Sequence, residues 1–199
     1  MTVPPLILGF DTSGPHCAAA LLSGETVIAE QCETMVRGQA ERLMPMMHDL
    51  LAGAGVGWSD LTALGVGTGP GNFTGLRIAV SAARGLALGL EIPAVGVTGC
   101  QARALLNPGQ PCAIPAPRDQ VYLCDLDDPR VTPIQMSRAE AETRAATAIS
   151  AEASPPGLAA AIARVAAAHW QTTTEPPAPV YARAADAAPS RHTPPVLLD

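Results

Sequence analysis

The residues best suited to chemistry lie in a glycine-rich segment, GVGTGPGNFTGLR, at residues 65–77. Glycines let a backbone turn tightly and approach a neighbouring group closely. A loop of this kind that leads into a helix presents free N–H groups and the positive end of the helix dipole, which suits an anion. The segment lacks the lysine of a Walker A loop and the spacing of a dinucleotide fingerprint. It is either an anion-binding loop or a tight strand-to-helix turn, and the loop by itself favours the turn.

A second polar segment, DTSG at residues 11–14, directly follows a short apolar run that we predict to be a strand. A carboxylate and two hydroxyls at the end of a strand are suited to a metal–phosphate group. The alternative is an Asx or Ser/Thr turn that caps a hairpin, and the segment in isolation favours it. The candidate phosphate-contacting residues of the two segments are Asp11, Thr12, Ser13, Gly67, Thr68, Gly69 and Gly71.

Other catalytic signatures are absent from the sequence. The four histidines form no HxxxH or HExxH pair, so we predict no metal site. There is no GxSxG motif to support a serine nucleophile. We therefore predict no catalytic residue and no bound cofactor for this chain.

The composition limits the classes of protein to which this chain can belong. Hydrophobic residues make up 48% and charged residues 15%, so the chain can bury a core. The net charge is −6 and every basic residue is arginine, which argues against a stand-alone nucleic-acid binder because phosphate contacts need a basic surface. We find no signal peptide and no long apolar stretch free of glycine, proline and charge, so we expect no membrane span. The five cysteines form no CxxC motif, so we predict that they are free thiols and that the protein is cytoplasmic.

Short predicted strands and helices alternate along the chain and position the DTSG segment and the glycine-rich segment. A strand, a loop, a helix and a strand follow one another from residue 63 to residue 98, which is typical of a right-handed crossover between parallel strands. With the opening meander, this order predicts a mixed five-stranded sheet with helices on both faces. We predict strands over 6–10, 17–22, 26–34, 63–67 and 95–98, and helices over 39–54, 76–90 and 99–106.

Proline-rich breaks begin near residue 107 and divide the sequence into two regions. We predict an N-terminal lobe over residues 1–107 and a short C-terminal lobe with a proline-rich tail over residues 108–199. In the second region, strands are predicted at 113–116 and 121–125, and helices at 138–150 and 158–169, the helices from their alanine content alone.

The helix predicted over 76–90 is apolar nearly all round, which indicates burial on more than one side. It is either the central helix of the domain or a helix that another chain covers on one side. Methionines in the helix predicted over 39–54 suit an adaptable packing surface. The candidate interface residues are Met44, Met47, His48, Leu51, Phe73, Leu76, Arg77, Val80 and Arg84.

Three segments together resemble the TsaB (YeaZ) family of bacteria. They are ILGFDTSGPHCAAALL at 7–22, ERLMPMMHDLL at 41–51 and GVGTGPGNFTGLRIAVSAARGLALGLEIPAVGVT at 65–98. GPGNFTGLR followed by GLALG is the specific part of the resemblance, and PVYAR at 179–183 is similar to the family's C-terminal P-x-Y-x-R. The resemblance covers the N-terminal lobe, and the region from about 107 to 178 matches poorly.

The resemblance implies an α/β fold of the ASKHA type, the fold of actin-like ATPases and ribonuclease H-like proteins, here with a reduced second lobe. It also implies a role in making threonylcarbamoyladenosine, the modified base beside the anticodon of tRNA. In that family TsaD catalyses the transfer, TsaB is its non-catalytic scaffold and activator, and the ATPase TsaE joins the pair. ATP and magnesium are used by the complex, and tRNA is reached only through it. Alone, such a chain is expected to form a homodimer in the cytoplasm.

TsaD-type catalysts bind metal through an HxxxH on the first helix, where this sequence has Gln39 and Leu43. These side chains cannot replace two imidazoles as ligands. Nucleotides of the ASKHA fold lie between two full lobes, so the short second lobe implies that DTSG and TGPGN are vestiges of phosphate loops. The alternative is a stand-alone ASKHA kinase or ATPase that uses Asp11, Thr12 and the loop 67–71. A second phosphate loop after residue 107 would favour it, and we find none. Activity as an M22 glycoprotease is not supported, because the sequence contains no nucleophile–base pair.

Overall fold

A mixed five-stranded sheet forms the centre of the protein in the computed structural model, which describes residues 4–125, 127–151 and 153–182. The strands lie in the order β3-β2-β1-β4-β5. β1 pairs antiparallel with β2, and β2 with β3, whereas β4 lies parallel to β1 and to β5. The predicted mixed sheet is therefore confirmed. The strand bounds are β1 (Leu6–Asp11), β2 (His16–Ser23), β3 (Thr26–Thr34), β4 (Ala63–Gly69) and β5 (Ala94–Thr98).

Side-chain caps define where most of the helices begin. The Asn72 side chain accepts a hydrogen bond from the Gly75 N–H, and Thr98 and Ser137 each form a capping box. Two helices begin three residues earlier than predicted, because the loop-like sequences after Asn72 and Ser154 form their first turns. The helices are α1 (Gln39–Gly53), α2 (Phe73–Leu90), α3 (Gly99–Leu106), α4 (Arg138–Ala145) and α5 (Pro155–His169), with a 3-10 turn at Trp58–Asp60.

Helices cover both faces of the sheet, as predicted. Successive side chains of a strand point to opposite faces, so Leu8 and Phe10 of β1 pack beneath α1 and α2, while Ile7 packs beneath α5. α5 lies in the region 108–199 of the sequence but completes the core around β1, β2 and β4. The boundary near residue 107 stays a prediction for the chain as a whole.

The contact between α5 and the sheet is close enough to require glycine. A Cβ added at Gly9 would lie 2.5 Å from the Ala159 carbonyl oxygen and 2.6 Å from the Ala163 nitrogen. A Cβ at Gly65 would lie 2.8 Å from the Ala166 Cβ. Small residues on both sides therefore bring the helix backbone against the strands.

A second sheet of three antiparallel strands follows α3. Its strands are β6 (Ala113–Ala116), β7 (Gln120–Leu123) and β8 (Ile134–Ser137), and α4 packs against β7 and β8. β8 was not predicted from the sequence, although its four residues, IQMS, alternate apolar and polar side chains, because so short a run is a weak strand signal. α4 is shorter than predicted because Ala146 adopts a left-handed conformation with φ of 55° and ends it.

The five cysteines are not all free thiols, so that prediction is wrong for one pair. Cys100 of α3 and Cys124 after β7 form a disulfide across 24 residues of sequence. Cys17, Cys32 and Cys112 are free. No short motif links the two bonded cysteines, because the packing of α3 against the small sheet brings them together. The cytoplasmic location, which rested partly on free thiols, stays a prediction.

Helix α2 is long and apolar enough to cross a membrane by length and composition, and it is the one such helix in the described part of the chain. The sequence expectation excluded it because it contains glycine, Arg77 and Arg84. In the fold, α2 connects the parallel neighbours β4 and β5 and packs one side on the sheet. Core helices pass the same length and composition test.

We expect Gly9→Ala to destabilise the protein by about 1–3 kcal/mol, because the added methyl group would force α5 away from the sheet. Gly85→Ala is the matched control, since its Cβ meets nothing within 4 Å. The control should stabilise α2 by about 0.5–1 kcal/mol. Urea denaturation of both variants measures the difference. Equal stability of the two variants would contradict the close α5–sheet contact.

Candidate functional site

The two segments singled out in the sequence meet at one edge of the sheet. Asp11 ends β1, and Gly69 ends β4. Because these two strands are parallel neighbours, their carboxyl ends lie side by side. This is the edge at which open α/β sheets bind ligands. The structure therefore brings the predicted candidates Asp11, Thr12, Ser13, Gly67, Thr68, Gly69 and Gly71 together.

The Asp11 carboxylate is bonded within its own loop. Its Oδ2 accepts hydrogen bonds from the Ser13 N–H at 3.0 Å and the Ser13 hydroxyl at 2.8 Å, and His16 Nε2 lies 2.9 Å from the same oxygen. Asp11 and His16 are both buried. His16 has no role predicted from the sequence, since a single histidine in a turn carries no motif. The arrangement is the Asx turn that the segment favoured.

The glycine-rich loop packs directly against this turn. The Thr12 hydroxyl donates to the Gly75 carbonyl oxygen at 2.6 Å, and the Asn72 N–H donates to the Ser13 carbonyl oxygen at 2.7 Å. A Cβ added at Gly71 would lie 2.5 Å from that same Ser13 oxygen. At Gly67 an added Cβ would collide with Asp11 Oδ1, and at Gly75 with the Thr12 carbonyl oxygen. Contact between the two segments therefore explains why these positions are glycine.

Gln39, the first residue of α1, holds the turn from the other side. Its side-chain amide donates to the carbonyl oxygens of Gly14 at 2.8 Å and His16 at 3.0 Å, and lies 3.4 Å from that of Thr12. In the sequence, Gln39 stands out only as the residue that replaces a metal-binding histidine. A buried glutamine has no short-range signal, because its acceptors lie more than 20 residues away in the chain. Leu43, the second such position, is buried in the core.

The segment that resembles P-x-Y-x-R lies across the end of β4 and reaches α2. The Val180 N–H donates to the Thr68 carbonyl oxygen at 2.8 Å. The Tyr181 hydroxyl accepts a hydrogen bond from Arg77 Nε at 3.1 Å, and its ring centroid lies 5.2 Å from that of Phe73. The Arg77 guanidinium in turn lies 3.8 Å from the centroid of the Phe73 ring. Arg183, the last residue of the motif, lies outside the described residues.

The structure corrects the set of candidate interface residues. Met47, Leu51, Leu76 and Val80 are buried in this chain's own core because their sides of α1 and α2 face the sheet, so they offer no free surface. The exposed members of the set are Met44, His48, Phe73, Arg77 and Arg84.

The exposed residues continue as stripes along the two helices. Phe73, Arg77, Arg84 and Leu88 are exposed at intervals of about one or two helical turns on α2, and Leu88 is 82% exposed. Met44 and His48 are exposed on the neighbouring α1. We call these six residues the α1–α2 surface.

Comparison with known proteins identifies the family. The sequence model of the family described as TsaD, tRNA N6-adenosine threonylcarbamoyltransferase, matches residues 26–187. The chain is 30% identical over 198 residues to an uncharacterized protein of Mycobacterium tuberculosis (strain H37Rv), covering 92% of this chain and 94% of that one. It is 44% identical over 92 residues to the tRNA threonylcarbamoyladenosine biosynthesis protein TsaB of Escherichia coli K12. The chain belongs to the TsaB/YeaZ family.

Solved structures agree with this membership of the TsaB/YeaZ family. YeaZ from Pseudomonas aeruginosa is 28% identical and superimposes with a TM-score of 0.65, covering 89% of this chain and 99% of that one. A second Pseudomonas aeruginosa structure, described as similar to peptidase YEAZ, gives a TM-score of 0.67 at 27% identity, with 90% and 100% covered. With the five-stranded sheet, these matches confirm the predicted ASKHA-like α/β fold. The match to Escherichia coli TsaB covers 46% of this chain and 39% of that relative's length.

We expect Gln39→Met to destabilise the protein by about 1–3 kcal/mol, because the buried carbonyl oxygens of Gly14 and His16 would lose their donor. Gln39→Glu should destabilise it further, since a carboxylate would face those carbonyl oxygens. Gln31→Met on β3 is the control and should change stability by less than about 0.5 kcal/mol. Thermal unfolding of the three variants gives the order. A Gln39→Met variant as stable as the unmodified protein would show that the turn does not depend on this amide.

Proposed function

We propose that this chain is a non-catalytic subunit of the complex that transfers threonylcarbamoyl to the adenosine beside the anticodon of tRNA, and that it pairs with TsaD. Curated relatives that match about half of the chain are described as tRNA threonylcarbamoyladenosine biosynthesis proteins. The observation that carries the proposal is the α1–α2 surface, which a second protein would cover.

Apolar and aromatic side chains make this surface suited to a protein partner. Met44 is 39% exposed, Phe73 46% and Leu88 82%, although α1 and α2 pack on the sheet with their other sides. Tyr181, also 46% exposed, extends the surface beyond Phe73. Exposed apolar patches with a polar rim are typical of interaction sites, and tyrosine and arginine are enriched at their energetic centres.

The geometry of the sheet edge supports a non-catalytic role. Asp11 Oδ2 accepts hydrogen bonds from Ser13 and lies within hydrogen-bonding distance of His16. The backbone of the glycine-rich loop packs against Thr12 and Ser13. Gln39 and Leu43 occupy the positions at which TsaD-type catalysts have an HxxxH. The two segments thus serve as packing elements that orient the start of α2, which carries the proposed interface.

The remaining parts of the proposal concern the rest of the complex. TsaE joins the pair, and ATP and magnesium are used by the assembled complex rather than by this chain alone. The net charge of −6 fits a subunit that reaches tRNA through its partners. Without TsaD, the α1–α2 surface favours a symmetric homodimer, because an isologous contact would cover the same patch on both copies.

We expect Met44→Arg and Leu88→Arg to abolish copurification with TsaD while leaving the melting temperature unchanged. A charge buried without a partner at an interface typically costs about 2–5 kcal/mol, which weakens association by about 30-fold or more. Leu105→Arg is the matched control, because Leu105 is 47% exposed on α3, away from this surface. Pairing that survives both substitutions would place the interface elsewhere.

We also expect the purified chain to hydrolyse no ATP and to transfer no threonylcarbamoyl group by itself. The reason is that Asp11 Oδ2 is bonded to Ser13 and lies 2.9 Å from His16 Nε2, while the glycine-rich loop is bonded to Thr12 and Ser13. Phosphate release is measured with and without the Asp11→Ala substitution. Turnover that Asp11→Ala removes would favour the stand-alone ASKHA enzyme instead.

A further inference from the structure

Three cysteines cluster where α3 meets the small sheet, and none of them belongs to the α1–α2 surface. Cys100, Cys112 and Cys124 are each 3% exposed or less and pack in one cluster with Ile114. Cys100 is bonded to Cys124, with 5.5 Å between their Cα atoms. Cys112 is free. A free thiol therefore lies in the same apolar cluster as the disulfide.

Cys112 lies directly opposite Cys124 across two strands. β6 and β7 pair with Ala113 opposite Leu123, and the Cys124 N–H extends the ladder by donating to the Cys112 carbonyl oxygen at 3.0 Å. Opposite residues of an antiparallel pair point to the same face, with Cα atoms about 5.5 Å apart when hydrogen-bonded. That separation lies within the range that a disulfide spans. Cys124 is therefore placed to bond either neighbour.

A buried cation accompanies the cluster. Arg103 lies one helical turn after Cys100 and is 8% exposed. Its Nη1 donates to the Gly99 carbonyl oxygen at 3.2 Å, and its Nε has no hydrogen-bond partner among the described residues. Burial lowers the pKa of Arg103 and raises that of Cys112, and the Arg103 charge opposes the rise at Cys112. A thiolate in this cluster would be stabilised by the guanidinium.

We propose that Cys100, Cys112 and Cys124 form a thiol–disulfide exchange site in which the bond at Cys124 moves between Cys100 and Cys112. The Cys112 thiol loses its proton, and the thiolate attacks the Cys124 sulfur. A Cys112–Cys124 bond forms as the Cys100–Cys124 bond breaks, and Cys100 leaves as a thiolate that takes up a proton. No external oxidant is needed, because one disulfide and one thiol are present before and after the step.

The position of Cys100 favours its departure. It is the second residue of α3, and the N-terminus of a helix stabilises a thiolate. Arg103 adds a positive charge one turn later on the same helix. Both features lower the energy of the leaving group, so exchange is favoured over a permanently fixed bond.

The exchange changes what the disulfide connects. α3 packs against α5, which lies on the five-stranded sheet, whereas Cys124 follows β7 of the small sheet. The Cys100–Cys124 bond therefore ties the two sheets together. A Cys112–Cys124 bond lies within the small sheet alone and releases that tie.

The test uses the full chain with Cys100→Ala, treated with oxidised glutathione, alkylated and mapped by mass spectrometry without reduction. We expect a Cys112–Cys124 bond in this variant and a Cys100–Cys124 bond in Cys112→Ala, the matched control. A free Cys112 in Cys100→Ala, under conditions that form the bond in the control, would overturn the proposal. So would the absence of any disulfide at Cys124 in the unmodified protein.

A second measurement does not depend on the folding of a cysteine variant. Unmodified oxidised protein is held at pH 8.5 and sampled by rapid alkylation for the appearance of the Cys112–Cys124 bond. Arg103→Gln should slow this appearance by about tenfold, because a rise of one unit in the thiol pKa lowers the thiolate fraction about tenfold. Arg103→Lys should restore the rate. If the unmodified protein shows only the Cys100–Cys124 bond, the exchange does not occur. Equal rates in all three proteins would remove Arg103 from the site.

Discussion

The contact between the DTSG turn and the glycine-rich loop determines how the rest of the protein is arranged. Two hydrogen bonds, from Thr12 to Gly75 and from Asn72 to Ser13, join the carboxyl ends of β1 and β4 and place the first turn of α2. Gln39 supports the same turn from α1. Both helices of the proposed interface are therefore positioned by one buried polar junction, and glycine is required where the two loops pack most closely, at Gly67, Gly71 and Gly75.

The same junction is consistent with the proposed non-catalytic role. Asp11 Oδ2 accepts hydrogen bonds from the N–H and the hydroxyl of Ser13, and a side chain at Gly67 or Gly71 would collide with the facing turn. The helices that begin at the junction keep an exposed stripe of apolar and aromatic side chains, and Tyr181 from the C-terminal segment lies against it. The proposed function assigns recognition to this chain and the chemistry to its partner.

The second half of the chain contributes through packing. α5 lies so close to β1 and β4 that Gly9 and Gly65 have no room for a side chain, and it completes the core that the N-terminal region begins. The small sheet is connected to this core through α3 and the Cys100–Cys124 bond. An exchangeable bond at that point would act on the position of the small sheet without touching the α1–α2 surface.

The sequence by itself determined the opening meander, the crossover unit, the mixed sheet and the family, because alternation, glycine spacing and turn residues are local signals. It could not determine which sides of α1 and α2 face the sheet. Apolar residues lie all round α2, so Leu76 and Val80 were indistinguishable from an interface until their burial was seen. The same holds for Met47 and Leu51 of the methionine-containing α1. The tertiary structure decided three further features, namely the Gln39 hydrogen bonds, the packing of α5 against the sheet and the Cys100–Cys124 disulfide. Each depends on groups far apart in the chain that only folding brings within bonding distance.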